Sequence, residues 1–367
     1  MASSALFTPL TLRSLTLPHR GWVSPMCQYS CPPETGEGVP NDWHLMHLGS
    51  FAAGGAALIL TEASAVSPEG RISPLDAGLY NDQQASAWAR ITDFVHRHSA
   101  AGARIGIQLG HAGRKASTYA PFSESKGTVP PAEGGWETIG PGSQAFDGYR
   151  APRAMHEDEI RKVIQDFRSA AVRAVDAGFD TVEIHAAHGY LLHQFQSPLI
   201  NNRTDIWGGS EENRNRLTLA VIDAVRGAIP DGMPLLLRIS ASDWADGGVD
   251  IDASVRLSKA AAERGVDLVD VSSGGAVPHQ NIPVGLGYQT AFSEKIRREA
   301  GVATGTVGLV TSATQAEHSL ATGQADAVFI ARAALRDPHW WLRAAFSLGH
   351  DLEWAPQYRR AIPRHVF

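Results

Sequence analysis

Thr181-Val182-Glu183-Ile184-His185-Ala186-Ala187-His188-Gly189-Tyr190 opens on an apolar, strand-like step and runs out into two imidazoles and a phenol. It follows the amphipathic run Ile160 to Val175. There Ile160, Val163, Ile164 and Phe167 recur at i, i+3, i+4 and i+7 and so share one helix face. A helix, a short strand and then polar side chains at the strand's end is the order expected where a parallel barrel builds its active site. Two imidazoles can jointly hydrogen-bond a carbonyl oxygen, and a nearby phenol can protonate a carbanion. These residue types point to a reduction or rearrangement beside a carbonyl group.

The same alternation extends in both directions. Candidate strands are Gly21 to Ser24, Ala57 to Thr61, Arg104 to Leu109, Thr181 to Ile184, Leu235 to Ile239, Leu268 to Val271, Thr304 to Val307 and Ala327 to Ile330. Helical patterns run from Asp82 to Ala100, Glu211 to Ala228, Ala253 to Arg264, Thr290 to Ala300 and Thr314 to Ala321. Gly102, Gly178, Gly265, Gly301 and Gly323 stand where helix stops favour a left-handed residue. Strands alternating with helices eight times predict an α/β fold, a closed (β/α)8 TIM barrel. An open doubly wound sheet normally carries Gly-x-Gly-x-x-Gly after its first strand. Here Gly285-Leu286-Gly287 has Thr290 where the third glycine would stand.

The 367 residues are expected to form one domain, 1–367, with a long excursion after strand three at 110–155 and a carboxyl-terminal tail at 350–367. The excursion's prolines and glycines read as a loop, either a lid or a disordered insertion. Tyr119, Phe122, Trp136, Phe146 and Tyr149 give it something to pack. A net charge of −6 leaves no basic surplus for nucleic acid. No apolar run is long enough for a membrane span or a signal peptide, so a soluble, cytoplasmic protein is expected. Cys27 and Cys31 are too few for a disulfide scaffold or a four-cysteine cluster.

If all strands end at one mouth, their terminal residues form one site. Strand one brings Ser24-Pro25-Met26-Cys27-Gln28-Tyr29, strand two Glu62-Ala63, strand three Gln108 and His111, and strand four His185, His188 and Tyr190. Strand five brings Arg238, strand six Ser272 to Gly275, strand seven Gly308 and strand eight Ala331-Arg332. Loops after strands seven and eight often bind phosphate through backbone N–H groups, and an arginine adds a bidentate donor. Gln108 with Arg238 suits a flat heterocycle such as a flavin pyrimidine edge, which needs one amide and one cation beside it. Arg238 could equally be spent in a buried salt bridge to Asp243 or Glu183. His185 and His188 could instead be ligands of a metal-dependent barrel hydrolase or lyase, with His111, His193 or Glu183 as the third.

Taken together, five spaced segments resemble the Old Yellow Enzyme family of FMN-dependent ene-reductases, in its class III or thermophilic-like branch. They are Ser24 to Ser30, Gln108 to Arg114, Glu183 to Tyr190, Asn202 to Asp205 with Trp207 to Ser210, and Arg238 to Asp243. The resemblance implies non-covalent FMN, reduced by NADPH or NADH, and an α,β-unsaturated carbonyl substrate. Ser24, Pro25, Met26, Cys27 and Ala63 would line the flavin, with Gln108 and Arg238 at its pyrimidine side and Gly308, Ala331 and Arg332 at its phosphate. His185 and His188 would grip the carbonyl oxygen, supported by Tyr29, and Tyr190 would donate the proton. Cys27 would tune the flavin potential. The tail, through Tyr358 and Arg360, would reach a neighbour's substrate pocket in a homodimer or dimer of dimers. Where the family commonly has Gly-Arg after strand eight, this chain has Ala331-Arg332. No metal is implied.

Overall fold

The computed structural model describes residues 4–363. Eight strands are β1 (Gly21–Val23), β2 (Leu58–Ala65), β3 (Arg104–Gly110), β4 (Thr181–Ala186), β5 (Leu235–Ser240), β6 (Leu268–Ser272), β7 (Ala303–Thr306) and β8 (Ala327–Ile330). All pair in parallel in chain order, and β8 pairs with β1 through Phe329↔Trp22, which closes the barrel. Every expected strand is present. The largest departure is β2, which runs past Thr61 to Ala65 across a register shift between Leu60 and Ala63 against β3. That shift carries Glu62 and Ala63 to the mouth.

Around the strands stand α1 (Asp42–Ala53), α2 (Asp82–His98), α3 (Glu157–Asp176), α4 (Glu211–Arg226), α5 (Ile251–Ala262), α6 (Thr290–Ala300), α7 (Ala313–Ala321) and α8 (Trp340–Ser347). The five glycines expected at helix stops take positive φ, between 67° and 91°. The periodic reading missed α8, and it missed α1. Its Trp43 and Met46 stay exposed while Leu48 and Phe51 are buried, so apolar residues wrap the helix and no single stripe marks it. The helix is declared instead by Asn41, whose side chain accepts from Trp43 N–H.

Strand residues alternate between two cores, as period-two geometry demands. Leu235 and Leu237 face the helices, while Leu236 joins Trp22, Leu58, Leu60, Leu268 and Phe329 inside the barrel. A hairpin missed in the sequence, Leu10–Leu12 against Leu15–Leu17, sends Leu12 and Leu17 into that inner cluster. It plugs the amino-terminal end of the barrel. The opposite end stays polar.

The excursion after β3 is ordered. Buried Arg114 donates to the carbonyls of Gln144, Ala145 and Ala276, and Arg203 donates to those of Pro141 and Met155. Trp136 Nε1 donates to Glu69 O, and the Arg71 guanidinium lies 4.8 Å from that ring. Phe122 meets the Tyr29 ring edge-on at 6.2 Å, which brings the excursion over the barrel mouth. None of the described helices is long and apolar enough to cross a membrane.

Candidate active site

Because all eight strands are parallel, their carboxyl ends share one rim. On β4, Glu183 and His185 are two residues apart and face the same side of the sheet. Glu183 accepts from Gln108 Nε2 at 2.7 Å, across the register pair that joins β3 to β4. On β5, Arg238 sits opposite Asp270 of β6, with Nε 3.2 Å from Oδ2. The arginine's salt-bridge partner is neither Asp243 nor Glu183, the two expected from the sequence, but Asp270, because parallel register sets it directly opposite. Asp243 is already engaged by His193 Nε2 at 2.8 Å and by Ser197 Oγ. Burial pushes the Asp270 carboxyl up to about 6, and burial with Asp270 nearby pushes Glu183 well above the usual carboxylate range. Arg238 is the cation that offsets both.

The end of β4 and the loop after it hold the imidazoles, His185 on the strand and His188 beyond it. Their ring centroids lie 5.2 Å apart, edge to face, and the Tyr190 ring is 5.1 Å from His185. Ala187 N–H donates to His185 Nδ1, which leaves Nε2 to carry the proton. His188 Nε2 lies 2.7 Å from Ser272 Oγ, and His188 N–H donates to Ser240 Oγ. Burial, with Arg238 adding to it, holds both imidazoles well below their ordinary value, so they stay neutral at pH 7. Neutral imidazoles here are hydrogen-bond donors, not counter-ions.

Five non-glycine residues of the loops that follow the strands have left-handed backbone: Tyr29 (φ 51°), Ser117 (φ 56°), His188 (φ 58°), Trp244 (φ 54°) and Leu309 (φ 53°). Such conformations cost about 1–3 kcal/mol and cluster at functional sites. At His188 the reason is visible. A Cβ on Gly189 would stand 2.0 Å from Gly275 O, so the loops after β4 and β6 touch backbone to backbone. Lys115 Nζ ties them together by donating to His188 O and Gly275 O. Gly189 N–H in turn donates to His193 Nδ1. The sequence reading missed Lys115 and offered His193 only as a metal ligand. Single polar residues in loops carry no periodic signal.

Ser24, Pro25, Met26 and Cys27 cross the rim after β1, with Ser24 N–H donating to Ile330 O and Gln28 N–H to Glu62 Oε2. His44 Nε2 lies 3.0 Å from Glu62 Oε1 and links that loop to α1. Cys27 is a half-buried free thiol, pushed up by burial and by Asp76 and Glu62. Ala63, Tyr29 and Tyr190 pack in one apolar cluster with Cys27. Gly308, Leu309, Val310, Ala331, Arg332 and Tyr288 line a second cavity, after β7 and β8. Gly308 has φ 126°, and a Cβ there would press on Gln289 Nε2 at 3.0 Å. Tyr358 and Arg360 are placed elsewhere. Tyr358 packs on His339 outside the barrel and Arg360 is exposed, so neither joins the others within one chain. Of the third ligands named for a metal reading, Glu183 and His193 are committed to Gln108 and Asp243. Among the described residues no group of three His, Cys, Asp or Glu side chains is arranged to hold an ion.

A rim with amide and guanidinium on one side, neutral donors on the other and a glycine-lined cradle at strands seven and eight defines a flavin-type barrel oxidoreductase. The comparisons agree. The pattern of the NADH:flavin oxidoreductase / NADH oxidase family matches residues 5–350, and the chain belongs to that family. It is 44% identical over 356 residues to NADPH dehydrogenase of Bacillus subtilis (strain 168), covering 97% of this chain and 98% of the relative. It is 46% identical to NADPH dehydrogenase of Geobacillus sp. (strain WCH70), with the same coverage. Among solved structures, morphinone reductase in complex with tetrahydroNAD superposes with a TM-score of 0.77 at 28% identity, covering 98% of each chain. The Old Yellow Enzyme homologue from Zymomonas mobilis gives 0.75 at 26%, covering 98% of this chain and 99% of that one. The chain is thus an Old Yellow Enzyme-type, FMN-dependent NAD(P)H oxidoreductase. Its donor set fits the flavin: buried Arg238 Nε has no hydrogen-bond partner among the described residues, and at Gly308 the backbone takes φ 126° against Gln289 and Tyr288, a place that leaves no room for a side chain.

Proposed function

We propose that this enzyme reduces the C=C bond of α,β-unsaturated carbonyl compounds. The observation that carries the reading is the pair of neutral imidazoles 5.2 Å apart with the Tyr190 phenol against one of them. When bound, FMN supplies hydride chemistry, taking hydride from NADPH or NADH and giving it to the β-carbon. Ser24, Pro25, Met26, Cys27 and Ala63 would line its ring, Gln108 and Arg238 its pyrimidine edge, and Gly308, Ala331 and Arg332 its phosphate. His185 offers Nε2–H to the carbonyl oxygen. If Ser272 donates to His188 Nε2, Nδ1–H becomes the second donor. Tyr29 supports that grip, and Cys27 sets the polarity against the ring. Tyr190, whose ionisation burial opposes strongly, keeps its proton until the α-carbon takes it.

The test is anaerobic. NADPH should bleach the flavin band, and 2-cyclohexenone should restore it; a reduced protein that cyclohexenone does not reoxidise sinks the reading. Within it, Tyr190→Phe should keep FMN and reduction by NADPH but slow reoxidation by cyclohexenone by about 10²-fold, the lower part of the range for a positioned proton donor. Maleimides, protonated readily by solvent, should suffer less. Unchanged cyclohexenone turnover would remove Tyr190 from the role.

We also propose that the enzyme works in the cytoplasm as at least a homodimer. The groove of Leu45, Met46, Phe94, His98, Ala355 and Tyr358, beside exposed Trp43, suits a second copy of the chain. A twofold pair would exchange tails reciprocally, bringing Arg360 to the neighbour's mouth. Deleting residues 357–367 should raise KM for enones about tenfold, a loss of ~1.4 kcal/mol, while FMN content stays. A monomer by light scattering with an unchanged KM after deletion would leave the tail an ordinary terminus.

A further inference from the structure

Beside Tyr190 the site continues into a small partly open cavity of about 10 Å³, lined by Ala63, Gly70, Asp76, His111, His185 and Tyr190 among others. That volume is at the lower limit for one water molecule, which also needs about 2–4 polar partners. The lining provides them. Asp76 is 1% exposed; its Oδ2 accepts from Ile72 N–H at 2.6 Å, while Oδ1 is buried without a partner. His111 is 2% exposed; its Nδ1 accepts from Gly113 N–H, so Nε2 carries the proton, and Nε2 is also buried without a partner. Two orphaned polar atoms on one small cavity, a carboxyl oxygen and an imidazole nitrogen, are what a single bridging water would satisfy.

Asp76 sits at the end of the turn Arg71-Ile72-Ser73-Pro74-Leu75-Asp76, closed by Asp76 N–H donating to Ser73 O. The groups around it are Glu62, Arg71, Cys27, Tyr29 and Tyr190. Burial and the Glu62 carboxylate push Asp76 well above the carboxylate range, and Arg71 opposes them only partly. The acid form is favoured, with its proton on Oδ1 because Oδ2 already accepts from the backbone.

We propose that Asp76, through one water held between its Oδ1 atom, His111 Nε2 and the Tyr190 phenol, returns a proton to Tyr190 after each turnover. The inference rests on Tyr190 being the proton donor. Once the α-carbon has taken the phenol proton, the phenolate takes a proton from the water as the water takes the Asp76 Oδ1 proton. One O–H bond breaks on Asp76, one forms on Tyr190, and the water is regenerated. No electrons move. The Asp76 carboxylate then regains a proton from solvent when product leaves. A tyrosinate buried at this position is costly, which is the reason for a fast return path.

Asp76→Asn separates this from a packing role, since the amide keeps the shape and loses the transferable proton. Steady-state turnover of cyclohexenone should fall about tenfold, a fraction of the ~10²–10⁴ that positioned proton transfer supplies. The first reoxidation of pre-reduced enzyme, with Tyr190 already loaded, should keep its rate, and maleimide turnover should not change. Tyr190→Phe combined with Asp76→Asn should be no slower than Tyr190→Phe alone. Three results would each overturn the relay: unchanged turnover in Asp76→Asn, a multiplicative loss in the double variant, or equal losses with both substrates. If Tyr190→Phe alone leaves cyclohexenone turnover intact, the donor assignment fails first, which is a distinct outcome. Independently of any variant, a high-resolution crystal structure of the wild-type holoenzyme should show one ordered water touching all three atoms; a dry cavity would refute the proposal.

Discussion

His188→Ala and His185→Ala are each expected to slow reoxidation by cyclohexenone about 10²–10³-fold, the usual cost of removing one donor from a developing oxyanion. Each residue is placed by neighbours that the substitution leaves intact: Ala187 N–H at the His185 ring, Ser272 Oγ at the His188 ring, and Ser240 Oγ at the His188 backbone N–H. The loss should therefore fall on chemistry and binding, with FMN retained. A phenol, whose oxygen mimics the enolate, should bind more weakly to either variant, and its long-wavelength charge-transfer band should fade. The pH dependence is specific. Both imidazoles are held well below their ordinary value by burial and by Arg238, so they are neutral at pH 7. Phenol affinity in the wild type should show no histidine titration near 6.5, the unperturbed value. A clear inflection there would mean that imidazolium does the binding. A bound metal in the wild type, lost in both variants, would replace the reading altogether.

Arg238→Leu should both empty the flavin site and destabilise the barrel. Arg238 is the cation beside Asp270, and Glu183 adds a second buried carboxyl to the same layer. Removing one partner of a buried pair typically costs about 3–5 kcal/mol, because the remaining charge is left uncompensated. Urea unfolding of the apoprotein should show a loss of that order, and the flavin band should be absent from the purified variant. Adding Asp270→Asn to Arg238→Leu should recover much of the stability, since the orphaned charge is gone, without recovering FMN. If FMN returns in the double variant, the arginine serves only to neutralise Asp270.

The barrel was legible because burial on both faces makes parallel strands short and almost wholly apolar, and helices between them keep a stripe. Leu235-Leu236-Leu237 announces itself in that way, and so does the spacing of Ile160, Val163 and Phe167. Where periodicity fails, the reading failed with it. The Leu10–Leu17 hairpin has strands of three residues, α1 is apolar around its girth, and the short helices Leu191–Gln196 and Arg332–Arg336 are too brief for a repeat.

For the site, sequence alone determined which residues stand at the strand ends. Parallel alternation forces every such residue onto one rim, so residue order alone gathers His185, His188, Tyr190, Gln108 and Arg238. Tertiary structure alone decided their partners. That Arg238 meets Asp270 follows from strand register, and that Lys115 clamps His188 to Gly275 follows from three loops meeting in space, with Lys115 and Gly275 160 residues apart. Asp76 and His111 share a cavity only because the turn after β2 folds under the rim. Hydrogen bonds depend on ångström distances between atoms remote in the chain, and residue order carries the strand ends but not those distances.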